Sequence, residues 1–170
     1  MLHAGGKVVM VFAALAAMLL GPAVRTAAAE GSVRVLEDTP VSPVADIPAD
    51  VRKECTGLGD ELPRAIARAN PRVTMVRTPS QLRGDTGKYL SVEIIQVKAR
   101  AAGALSGPKK VTVRGTLVHD GKQIADFEAE RSAMEAAGTC RTLQKAEKEL
   151  GADIGTWLMA PRPHSRLGDQ

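Results

Sequence analysis

The sequence predicts an α+β domain: a mainly antiparallel sheet of four to five strands, two helices packed on one face, and one disulfide. Residues 109–131 hold two alternating apolar runs around a His-Asp-Gly turn, the pattern of a hairpin. Residues 55–69 and 143–158 place apolar side chains three or four apart, as one face of a helix does. Cys55 and Cys140 are the two cysteines. Burying both helix stripes against one sheet face accounts for both apolar patterns at once.

Residues 1–29 read as a cleaved signal peptide. Lys7 precedes the apolar run Val8 to Leu20, Gly21-Pro22 breaks that run, and Ala27-Ala28-Ala29 puts small residues where a signal peptidase reads. Cleavage is expected between Ala29 and Glu30. The run falls short of the roughly 20 residues of a membrane span, so no stable insertion is expected after cleavage. With no twin arginine, and no cysteine after the run, the reading is Sec export to a periplasmic or secreted location without a lipid anchor. The whole chain carries +4; the leader removes Lys7 and Arg25 and no acidic group, leaving +2. That balance lacks the dense basic patch nucleic acid demands. In an oxidising compartment the cysteine pair reads as a Cys55–Cys140 bridge. Its long loop is worth about 4–5 kcal/mol by chain entropy. The metal and redox alternatives lack nearby histidines and a Cys-x-x-Cys spacing.

Along the exported part, residues 30–49 form a proline-rich arm, with Ser32 to Leu36 suited to a first strand. Residues 50–160 are a single domain, and 161–170 a disordered tail. Asp50 suits an N-cap, the chain turns loosely around Cys55, and a regular helix starts near Asp60 and ends at Asn70-Pro71. Val73 to Val76 is a short strand and Thr78 to Gly87 a polar loop. Lys88 to Ala101 is a central strand, apolar at Leu90, Val92 and Ile94 on one face and at Tyr89, Ile95 and Val97 on the other. In the hairpin, a three-residue loop with Gly121 as a bulge is expected to pair Val113 with Phe127 and Arg114 with Asp126. That register gathers Val111, Val113, Leu117, Ala125, Phe127 and Ala129 on one face and leaves Ile124 outward. Ser132 to Gly138 is a loop. Thr139 caps a helix to about Met159 whose stripe is Leu143, Ala146, Leu150, Ile154, Trp157 and Leu158, with Glu147 outside; Gly151 and Gly155 weaken it or let it approach the sheet closely.

No catalytic, cofactor-binding or metal-binding set emerges. His119 sits at the hairpin tip and His164 in the tail, both read as solvated. Ser80, Ser91, Ser106 and Ser132 lack a nucleophile elbow, and Gly103-x-x-x-Gly107-Pro108 lacks the Lys-Ser/Thr of a phosphate loop. Glu93, Asp126 and Glu128 share a sheet face, where cross-strand pairs to Arg114 and Lys98 are the expected use. With Tyr89, Phe127 and Trp157 the only rings of the exported part, an aromatic binding platform is not expected.

The run Ser106 to Val118, then Asp120-Gly121-Lys122, Thr139-Cys140, Leu150 to Ile154 and Trp157-Leu158, resembles small exported proteobacterial proteins of unknown function over roughly residues 88–160. The strand–helix order also resembles envelope accessory modules such as the auxiliary lipoproteins of transport systems, which carry a lipid anchor that this chain's leader lacks. The resemblance implies an envelope setting and brings no catalytic residue. The expected function is a non-enzymatic module that binds another cell-envelope component through a sheet edge or the Gly103–Pro108 loop. The alternatives are a small-ligand carrier and, last, a hydrolase using Glu93, Asp126 and Glu128. Intact-mass measurement of exported protein is expected to give a chain starting at Glu30 with no alkylatable thiol; a retained leader or two modified thiols would refute this.

Overall fold

The computed structural model describes residues 31–84, 86–99, 107–134 and 138–169. The predicted leader, the cleavage pair Ala29 and Glu30, and most of the Gly103–Pro108 loop lie outside the described residues. In chain order the elements are β1 (Val33–Leu36), β2 (Val41–Asp46), α1 (Ala49–Glu54), α2 (Glu61–Ala69), β3 (Val73–Val76), α3 (Pro79–Arg83), β4 (Lys88–Lys98), β5 (Lys109–His119), β6 (Lys122–Ala133), α4 (Thr139–Trp157) and β7 (Ser165–Gly168). The α+β class stands, with a seven-stranded sheet in place of four to five strands and four helices in place of two.

The sheet runs β3-β1-β4-β5-β6-β7, with β2 also on β4. Its two long ladders, β4–β5 and β5–β6, are antiparallel. The flanks are parallel: β1 to both β3 and β4, β2 to β4, and β7 to β6. Parallel neighbours need a crossover. Helices α1 and α2 lie on the connection from β1 to β3, and α4 lies on that from β6 to β7, which makes the sheet mixed.

The predicted arm is two strands. β4 has 11 residues, enough for two short partners on one edge. β1 takes its start, with Val33 opposite Lys88, and β2 its far half, with Val41 opposite Ile94. Proline loses a donor and keeps an acceptor. Pro40 therefore still bonds the sheet, its carbonyl accepting from Ile94 N at 2.9 Å. A bulge between Ile94 and Gln96 turns Val97 into the core beside Leu90, Val92 and Ile94, where strict alternation had put it with Tyr89.

The hairpin register differs from the one expected. Asp120 and Gly121, both at positive φ, form a two-residue turn with His119 opposite Lys122. The extra residue comes after the turn: the register shifts around Ile124, so Gly115 faces Phe127, Arg114 faces Glu128 and Val113 faces Ala129. Moving the bulge preserves the faces, because what burial demands is parity. Val111, Val113, Leu117, Ala125, Phe127 and Ala129 are buried as expected, and Ile124 is the exposed bulge residue. Gly115 leaves room for the Phe127 ring, since a Cβ there would lie 2.2 Å from Phe127 Cζ. Trp157 meets that ring edge-on at 4.8 Å.

The α4 stripe is buried throughout. Gly151 and Gly155 do bring α4 into close approach, but to α2 and not to the sheet. A Cβ on Gly151 would stand 2.3 Å from Ala65 Cβ and 2.8 Å from Leu62 O, and one on Gly155 2.5 Å from Ala69 Cβ. Helix α1 starts after Pro48 rather than at Asp50, α2 is preceded by Asp60 as expected, and Gly138 rather than Thr139 holds the cap position of α4. Helix α3 occupies part of the predicted polar loop. Thr78 Oγ1 accepts from Gln81 N at 3.2 Å, and Gln81 Oε1 accepts from Thr78 N at 3.1 Å, a capping box spelled by Thr-Pro-Ser-Gln. The predicted disulfide joins Cys55 to Cys140, tying the start of α4 to the turn after α1.

The tail predicted as disordered carries β7, aligned with β6 from Phe127 opposite Ser165 to Glu130 opposite Gly168. Trp157 Nε1 donates to Ser165 Oγ at 3.0 Å, and Asp169 accepts from Ser132 N at 2.8 Å. These contacts are non-local, so local polarity could not announce them. Replacing Gly151 with alanine is expected to cost about 1–3 kcal/mol in urea unfolding, despite alanine's better helix propensity, because backbone stands in the way. Gly57→Ala, where a Cβ meets side-chain atoms at 3.4 Å and beyond, is the control and is expected to change little.

Candidate functional site

The sheet face away from α2 and α4 gathers the predicted carboxylates with cations. Glu93 accepts from Arg114 at 2.7 Å, Glu128 stands opposite Arg114, and Glu130 pairs with Lys110 at 2.5 Å while accepting from Thr112 at 3.2 Å. Lys98, the other expected cation, lies opposite Lys110 at the far end of the ladder. The hydrogen bond from Arg114 holds the Glu93 carboxyl below the usual range. Around Asp126 desolvation is the largest single influence and pushes upward, but the hydrogen bonds and charge of His164, with a hydrogen bond from Gln123, together outweigh it, so its carboxyl is also lowered. A carboxyl that donates a proton near neutrality needs the opposite shift. His164, read from sequence as a free tail residue, is 87% exposed but anchored, its Nδ1 3.0 Å from Asp126 Oδ2. Two open concavities lie on this face. One, of about 330 Å³, is lined by Arg114, Asp126, Glu128, His164 and Arg166. The other, of about 370 Å³, runs between α3 and Tyr89, Thr116 and Val118. Small-ligand carriers enclose their cargo, and the space between helices and sheet is filled by Phe127, Leu62, Ile66, Leu143 and Leu150.

Sequence reasoning placed Glu147 on the solvated side of its helix. It is fully buried, and its carboxylate accepts from Gly59 N at 2.9 Å and Glu61 N at 3.3 Å. Those donors belong to the entry of α2, so α4 supplies the acceptor that Asp60 does not: the Asp60 side chain makes no cap bond. Burial pushes the Glu147 carboxyl up to about 7, against the two backbone N–H groups and with help from Asp60 and Glu61. Burial, then the charge of Asp60, also raises Asp38. On the other side of α4, Arg131 of β6 binds Asp153 at 2.7 Å and Asp169 at 2.6 Å, joining helix, sheet and tail.

The end of the sheet at β3 is open: among the described residues no strand lies beyond it. Val33 N donates to Arg72 O, and Glu37 N to Val76 O, at 2.9 Å each. Hydrogen bonds alternate along a strand, so the even-numbered groups of β3 turn toward β1. That leaves the Val73 carbonyl and both backbone groups of Met75 on the open side. Each end of this window is closed. Asn70 O takes Val73 N at 3.0 Å, and Gln81 Oε1 takes Arg77 N at 3.1 Å. Native edges are ordinarily blunted by proline, lysine or inward charge. β3 is short, at four residues, which itself limits an edge, but Val-Thr-Met-Val has none of these residues, and Met75 is 38% exposed.

No protein-family model and no curated protein sequence matches the chain. Among solved structures it is similar to a variant of PelC, a dodecamer from Paraburkholderia phytofirmans, with 14% identity over 79% of this chain and 91% of that one and a TM-score of 0.49. A second crystal form of the PelC dodecamer gives 13%, 78%, 89% and 0.49. A Xanthomonas campestris protein of family DUF330 gives 15%, 75%, 83% and 0.47. At these values the likeness is one of chain arrangement alone.

The sign of the pH dependence follows from these carboxyls. Glu147 and Asp38, raised in the fold, contribute stability that is full below their ordinary values and lost as pH rises, for Glu147 through about 7. Glu93, Asp126 and Asp169, lowered in the fold, contribute stability that is lost as pH falls below the ordinary carboxyl range. Thermal melts are therefore expected to show a maximum near pH 5, with a gain on the order of 2 kcal/mol from pH 8 down to it. Glu147→Gln is expected to flatten that limb while costing about 1–3 kcal/mol, its amide offering one acceptor to two donors. A wild-type profile flat between those values would exclude the assignment.

Proposed function

We propose that this protein is an exported, non-enzymatic interaction module that docks another cell-envelope component by receiving a strand at β3. The observation that carries the reading is the open edge at β3, with the backbone groups of Met75 and the Val73 carbonyl directed outward. Strand addition uses such main-chain groups for affinity and alternate side-chain contacts for specificity. The leader read in the sequence supplies the compartment, and the Cys55–Cys140 bridge suits it. The filled core favours this reading over a carrier. The lowered carboxyls of Glu93 and Asp126 favour it over a hydrolase.

A photo-crosslinking amino acid at Thr74 on the open edge, compared with one at Ser91 on the outer sheet face, tests this in the native host. A discrete adduct with one envelope protein is expected from position 74 and not from 91. Adducts from 91 alone, or none from 74, would move the docking surface elsewhere.

A further inference from the structure

The edge lies in a one-sidedly charged part of the chain. From Arg64 to Arg83 the sequence holds Arg64, Arg68, Arg72, Arg77 and Arg83 and no aspartate or glutamate. This stretch spans most of α2, then β3 and α3. Arg64 and Arg68 both pair with Glu61, so the charge left for the edge comes from Arg72 and Arg77. Arg72 and Arg77 stand immediately before and after β3. Among the described residues Arg72 has no carboxylate within ion-pair distance. Arg77 is 81% exposed and leans on Glu37 at 3.4 Å. Such an exposed pair is weak and is readily exchanged for a second carboxylate.

Resting on the proposed strand addition, we infer that β3 receives an extended segment of a different protein, with a carboxylate at each end of a short β-branched run. The two end charges would meet Arg72 and Arg77, while the run between them pairs with Val73 and Met75. A second copy of this chain is a poor occupant. Antiparallel self-pairing of β3 brings Arg72 of one copy and Arg77 of the other to the same end of the joined strands, and does so at both ends. Like charges gathered across a strand pair are destabilising. The acidic segment gains from the same arginines in approach rate and in register.

The test uses the full-length oxidised protein and two fluorescent peptides, Gly-Asp-Val-Thr-Val-Thr-Asp-Gly and its lysine counterpart with both aspartates replaced, followed by anisotropy. The aspartate peptide is expected to bind about tenfold or more tightly than the lysine peptide and to weaken with added salt. Met75→Pro deletes an outward N–H that β1 does not use, so the fold is expected to survive while binding is lost. N-methylation of the central peptide residues gives the same loss without touching the protein. Arg72→Glu with Arg77→Glu is expected to reverse the peptide preference. If Met75→Pro and the methylated peptide bind undiminished, strand addition itself fails. If they lose binding while both charge forms bind equally, the edge stands and the acidic partner is overturned. Concentration-dependent dimers abolished by Met75→Pro would make the occupant a second copy. Binding to phosphatidylglycerol vesicles that survives Met75→Pro, without peptide binding, would make it a lipid surface.

Discussion

Helix α4 lies against α2 with no side chain of its own between the two backbones at Gly151 and Gly155, and much of the architecture follows from that approach. It presses Ala65 and Ala69 onto the glycines. It also brings Glu147 to the N–H groups at the entry of α2. A glutamate one helical turn before Gly151 can reach those donors only because the helices are this close. The disulfide fixes the same helix further toward its start, through Cys140 to Cys55. Three different forces therefore set the position of α4: dispersion at the glycines, the hydrogen bonds at Glu147, and a covalent link.

That positioning decides the sheet. With α4 held across one face, its far end delivers Trp157 to the Phe127 ring and returns the chain parallel to β6. The tail then pairs because Ser165 and Asp169 meet groups already in place. Arg131 gathers Asp153 and Asp169 at one point. The two carboxylates, the Asp153 hydrogen bond most of all, hold the Arg131 guanidinium protonated even more firmly than usual, its pKa above the ordinary value.

What could be read in the residues was what depends on local pattern. Parity assigned the faces of β5 and β6 correctly even though the register was off, because Ile124 could be skipped without moving any neighbour to the wrong side. The α4 stripe and the cysteine pair were legible for the same reason: residue spacing and an even cysteine count suffice. Glu147 was not, since between Lys145 and Lys148 nothing local separates a buried acceptor from a solvated charge. The strands at 41–46 and 165–168 were hidden by proline and polarity, because their bonds are to residues 30 or more positions away. The candidate edge was half legible: Val73 to Val76 read as a strand, but which strand lies at the border is a property of topology. The capping box at Thr78 was in plain view and outweighed by the glycines around it.

β1 and β2 divide one edge of β4 between them, and the division has a mechanical side. β1, with β3 hanging from it, is aligned with β4 at only two positions, Val33–Lys88 and Arg34–Tyr89. The β4–β5 and β5–β6 ladders run nearly the full length of their strands. Arg34 bridges the thin place, its guanidinium donating to the carbonyls of Arg83 and Thr86. A pull applied along β3 would thus pass through the narrowest seam of the sheet before reaching its stiff centre. The open edge therefore sits on the part of the sheet whose strand pairing to the centre spans only two positions.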